Sequence, residues 1–77
     1  MTRQIIDVLP DYVTRSMCDD EGVRFLLVFG DGRPMTVNGM TGKPIRYKFR
    51  DWFAACRHAR RVGAYVYNHV QKKIEAP

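Results

Sequence analysis

Three cations at alternate positions, Arg46, Lys48 and Arg50, are the residues whose types and spacing point most directly to a chemistry. In an extended strand they share one face, about 6.6 Å apart at ~3.3 Å of rise per residue. That interval is close to the separation of consecutive phosphates on one nucleic-acid strand, so the row suits a polyanion. Lys43 precedes it, and Arg57, Arg60 and Arg61 follow within a few helical turns. Of the aromatic residues nearby, Tyr47 and Trp52 fall on apolar faces and read as core. Tyr65 and Tyr67 are the better candidates for exposed rings on which bases stack. Lys43, Arg46, Lys48, Arg50, Arg57, Arg60, Arg61, Tyr65 and Tyr67 are therefore the expected nucleic-acid- or partner-binding set. The competing reading is a solvated edge strand whose charges only deter aggregation.

Other chemistries find little support. Cys56-Arg57-His58 places one residue between potential metal ligands, whereas structural zinc sites use C-x₂₋₄-C or H-x₃₋₅-H spacing, and Cys18 and His69 are distant in sequence. Residues i and i+2 of a helix do not face each other, which also weakens a Cys56/His58 nucleophile–base pair. Gly30-Asp31-Gly32 has no helix after it to receive a phosphate. Thr41-Gly42-Lys43-Pro44 lacks the upstream glycine of a phosphate loop, and Pro44 stands where a magnesium-binding hydroxyl is needed. Asp19-Asp20-Glu21 reads as a solvated turn. No catalytic residue, metal ligand or cofactor site is expected, and the chain is not read as an enzyme.

The elements that would hold the basic row are legible in part. Residues 4–9 read as a first strand or extended arm closed by Pro10, and residues 12–17 as a further short extended piece. Asp19 to Gly22 form a polar turn. Residues 23–29 are the strongest strand signal: Val23, Phe25, Leu27 and Phe29 share one face, and Leu26 and Val28 keep the other apolar, as in a central strand covered on both sides. Gly30-Asp31-Gly32 reads as a hairpin turn, Arg33–Val37 as the returning strand, and Asn38-Gly39 as a second turn. In residues 44–50, Ile45, Tyr47 and Phe49 alternate with the three cations. Asp51 then caps a helix whose apolar face is Trp52, Ala55, Cys56, Ala59 and Val62. Two readings of its end remain open: a helix continuing to about Lys73, or a stop at Val62 with Gly63 as the left-handed cap and Ala64–Val70 as a strand. The second is preferred. It gives an α+β fold, a small antiparallel sheet of three to four strands with one helix packed on a face.

Seventy-seven residues make a single domain spanning residues 1–77 with a modest core. Hydrophobic residues at 45% argue against disorder, and the longest apolar run, Phe25–Phe29, is far short of the ~20 residues needed to span a bilayer. The N-terminus lacks the apolar stretch of a signal peptide, and two cysteines suit a reducing cytoplasm, which is the expected location. The net charge of +5 is lopsided. Residues 1–42 carry four Lys or Arg against six Asp or Glu, and residues 43–77 carry nine against two, leaving −2 and +7. Such asymmetry gives a directional field that favours an anionic partner.

In size and layout, a hairpin, a strand and then a helix opening with Asp51-Trp52-Phe53, the chain resembles the small single-domain proteins that phages and other mobile elements encode against their hosts. Anti-CRISPR proteins are the best-known group. They share no common sequence, so the resemblance transfers no functional residue. It implies a stoichiometric inhibitor or modulator docking on a host protein or nucleoprotein complex. The expected function is thus a non-catalytic binding protein acting through its basic face on a nucleoprotein or acidic protein surface. The alternative is a small regulator that binds DNA or RNA directly. No membrane partner is expected, and the edge strand leaves monomer and homodimer both open.

Overall fold

Residues 5–77 are described by the computed structural model. The elements run β1 (Ile5–Ile6), α1 (Tyr12–Glu21), β2 (Phe25–Val28), β3 (Lys48–Phe49), α2 (Trp52–Val62), β4 (Tyr65–Asn68) and β5 (Lys73–Glu75). The strands form one antiparallel sheet in the order β1-β5-β4-β2-β3, with β2 near its centre and β1 and β3 at its edges.

Alternation along β2 decides how the layers assemble. Leu26 and Val28 point to one face and gather with Cys18, Val23, Tyr67 and Ile74 beneath α1. Leu27 points to the other and gathers with Phe49, Val66, Ala55, Cys56 and Ala59 beneath α2. Leu26, Leu27, Val28, Val66 and Ile74 are all without solvent exposure, and burying each aliphatic side chain is worth about 1.5–3 kcal/mol. The central, doubly covered strand is as expected, and so is the α+β class.

Two expectations are corrected. The sheet carries a helix on each face rather than one helix on one face, and it has five strands, of which β1 and β3 are only two residues long. The missing helix is α1. Residues 12–17, expected as extended, and Asp19–Glu21, expected as a turn, are one continuous helix. Its ends are capped: the Asp11 carboxylate accepts from the Val13 amide at 2.8 Å, and Gly22 closes it in the left-handed conformation at φ 66°. The β-branched residues Val13 and Thr14 disfavour helix only weakly, and burial of Thr14 and Cys18 on the sheet outweighs that preference.

Several other features match the sequence reading. Asp51 caps α2 through the Ala54 amide at 2.9 Å, and Gly63 ends the helix at Val62 with φ 73°. The segment after it is a strand, although β4 is followed by β5 and is not the last. Of the expected first strand, residues 5–6 pair with β5 and Gln4 lies outside the described residues. The returning strand Arg33–Val37 does not form as such: it is reduced to isolated bridges, Val28 with Pro34 and Val37 with Pro44. Prolines at both bridges remove the amide donors a continuous ladder needs. The turn at Gly30–Gly32 is docked instead on the start of α1, where the Gly32 carbonyl accepts from the Asp11 amide at 3.0 Å and the Thr14 hydroxyl at 2.8 Å.

Candidate functional site

The basic row lies on edge strand β3 and its flanks. Tyr47 and Phe49 turn inward beside Ile45, and Arg46, Lys48 and Arg50 turn to one shared groove of about 360 Å³. Glu21 and Val23 at the end of α1, and Asp51 and Ala54 at the start of α2, complete its walls. The alternation expected for residues 44–50 therefore holds for side-chain direction, although only Lys48–Phe49 pair as strand.

The three cations are held differently. The Lys48 ammonium donates to Glu21, with oxygens at 2.7 and 2.6 Å, and this carboxylate holds Lys48 above the usual lysine range. The Arg46 guanidinium lies 4.6 Å over the Phe49 ring. Stacking by its face leaves the N–H edges of a guanidinium available to an anion. Arg50 is exposed, and neither arginine makes an ion pair among the described residues. The pair with Glu21 fixes Lys48 as a strut, so Arg46 and Arg50 carry the accessible charge.

Helix α2 prolongs the edge. Arg57 and Arg61 follow Ala54 by three and seven residues, which sets them on the side of the helix that borders the groove. His58 lies beside them, its ring 5.0 Å from that of Phe49. Arg60 falls on the outer face with Arg57 and also complements the negative C-terminal end of the helix. Between them stands Phe53, 75% exposed. Its place on the outer face is readable from its spacing of four and seven residues to Arg57 and Arg60, a signal the sequence reading did not use. Glu21 as counter-ion is not readable, because its partner is 27 positions away.

The remaining expected residues lie elsewhere. Lys43 sits at the end of the loop at 38–43, where its carbonyl accepts from the Asn38 amide, and does not line the groove. Tyr65 and Tyr67 are corrected. Both lie on the α1 face of the sheet, because Val66 between them is committed to the core beneath α2. Tyr67, expected to be exposed, is fully buried with its hydroxyl 2.9 Å from Nδ1 of His69, and Tyr65 is half-buried against Gly30. Neither can offer a stacking face beside the basic row.

No known protein family, curated protein or solved structure matches the chain. Among the described residues no helix is long and apolar enough to cross a membrane.

Proposed function

We propose that this chain is a non-catalytic binding protein that docks through its β3–α2 edge on the anionic surface of a nucleoprotein complex or an acidic protein, acting there as a stoichiometric inhibitor or modulator. The observation that carries this reading is the convergence of Arg46, Lys48 and Arg50 on one groove, continued along α2 by Arg57 and Arg61. Glu21 and Asp51 also line this groove, but Glu21 is taken up by Lys48 and Asp51 caps α2, so Arg46 and Arg50 set the field that draws and steers an opposite partner. The cytoplasm suits such a role, since the buried thiols Cys18 and Cys56 need no oxidising environment.

A second reading, direct binding to single-stranded nucleic acid, is favoured by one feature: Phe53 stands exposed among arginines, where a base can stack. One experiment addresses both. Fluorescent single- and double-stranded oligonucleotides are titrated at several salt concentrations, and cell lysate is passed over immobilised protein, each with the parent and with the triple variant Arg46→Glu, Lys48→Glu, Arg50→Glu. The docking reading expects a nucleoprotein or acidic protein that elutes with salt and is not retained by the variant, with weak binding to bare oligonucleotides. A steep salt slope on oligonucleotides, about −0.7 per neutralised phosphate on single strands, supports the second reading instead. A variant that retains every ligand of the parent overturns both.

A further inference from the structure

Away from the basic edge, on the flank of α1 that faces the β4–β5 turn, lies a second groove of about 470 Å³. That volume is within the range of ~300–1,000 Å³ common for small-molecule sites. One wall is apolar: Leu9, Pro10 and the ring of Tyr12, with Leu9 87% and Tyr12 74% exposed. Isolated apolar residues on a surface mean little, but these two line a single concavity.

The facing side is polar and tightly connected. The His69 ring joins two elements that are 50 positions apart, with Nε2 2.8 Å from Oδ1 of Asp19 and Nδ1 2.9 Å from the Tyr67 hydroxyl. A carboxylate only accepts, so Nε2 donates to Asp19. The Lys72 ammonium stands over the same ring, 3.2 Å from Nδ1 and 3.1 Å from Nε2. Nε2 is already donating, so at most one of the three ammonium hydrogens finds an acceptor there and the others are left for the groove. Lys72 is held in this place by its backbone. Among the described residues it is the one non-glycine with a left-handed conformation, φ 58°, fixed by a turn in which Asn68 Oδ1 accepts from the Val70 and Gln71 amides. A lysine adopts that conformation at a cost. Arg15, one turn along α1 from Tyr12, lines the groove as a second cation and makes no ion pair among the described residues. The single carboxylate, Asp19, is engaged by His69. The groove thus offers two cations against one carboxylate, beside an apolar wall.

We propose that this groove binds a compact amphipathic anion: a carboxylate or phosphate monoester carried on an aromatic or aliphatic body. The anionic head lies between Lys72 and Arg15, with the Ser16 hydroxyl as a further donor, and the body rests on Leu9, Pro10 and Tyr12. The site is separate from the basic edge and does not depend on its function.

The test is an amide-resonance titration of the full chain with phenyl phosphate and with 3-phenylpropionate, inorganic phosphate and benzyl alcohol serving as half-ligand controls. The expected result is saturable shifts confined to residues around the groove, with at least one amphipathic probe binding about tenfold tighter than either control. The preferred probe identifies the headgroup. Lys72→Asn keeps the left-handed turn, which asparagine tolerates, and removes the charge, so affinity falls about tenfold with the fold intact. If that variant does not fold, Arg15→Gln provides the same reading from α1. Absence of saturable shifts with both amphipathic probes overturns the proposal. Shifts centred on Arg46 and Arg50, affinity equal to that of inorganic phosphate, or a folded variant binding as tightly as the parent overturn it equally.

Discussion

At the scale of single residues, Gly32 and Cys18 carry the sharpest consequences. Gly32 has φ 88°, and a Cβ built on it would stand 2.6 Å from the Leu9 carbonyl oxygen. Gly32→Ala therefore has to push the β2 turn off the start of α1 or accept a strained backbone. It is expected to cost about 1–3 kcal/mol, a fall of several degrees in Tm by calorimetry. Burial first, and the nearby Asp19 carboxylate second, push the Cys18 thiol up to about 11 from an ordinary 9.0. A raised thiol favours the fold while protonated. That contribution is fully present below pH 9, where the unfolded thiol begins to ionise, and is lost as pH rises toward 11. Urea midpoints measured from pH 8 to 11 should decline, and less steeply in Cys18→Ala. The same burial makes Cys18 slow to alkylate in the native protein at pH 8.

At the scale of elements, both helices depend on an aspartate at the start and a glycine at the end. Asp11→Ala and Asp51→Ala should each cost about 1 kcal/mol, and because the two caps serve different helices on opposite faces their effects should add in the double variant. Helix α2 was legible in the sequence from Asp51 and the Ala55–Cys56–Ala59 stripe, while its end was legible only as a preference: Gly63 after two arginines competed with an apolar stripe that continues to about Lys73. Helix α1 has equivalent caps in Asp11 and Gly22, but its interior does not announce itself. Tyr12, Val13 and Thr14 favour strand weakly, and the stripe on the sheet is short, Thr14, Met17 and Cys18, with a threonine as one of its two buried members. Only the uncovered face of β2 demanded a second layer. The edge site shows the same division. Side-chain alternation in residues 44–50 follows from the local pattern, whereas the tie between Lys48 and Glu21 and the burial of Tyr67 depend on which strand pairs with which. The His69–Asp19 contact joins residues 50 positions apart and has no local signature.

At the scale of the whole molecule, the uneven charge of the sequence becomes a spatial asymmetry only in part. Lys48 is answered by Glu21 and Arg33 by Asp31, so acidic residues from the first half temper two of the cations. What remains concentrated is the β3–α2 edge, with Arg46, Arg50, Arg57 and Arg61 on adjoining surfaces. Glu21→Gln should therefore strengthen anion binding at this edge, because it releases the Lys48 ammonium into the groove, and the shift should appear as later salt elution from a polyanionic resin.

The central claim is that anion docking belongs to this edge rather than to net charge. It is tested most directly by salt elution from heparin resin of the parent, Arg46→Glu/Arg50→Glu, and Arg15→Glu/Lys73→Glu, the last pair lying on α1 and β5 away from the edge. The two variants lose the same charge, and both leave the Lys48–Glu21 pair in place. The edge variant is expected to elute at far lower salt than the parent, and the distant variant to remain close to it. Equal losses in the two variants would contradict a localised docking edge and leave only the overall positive charge.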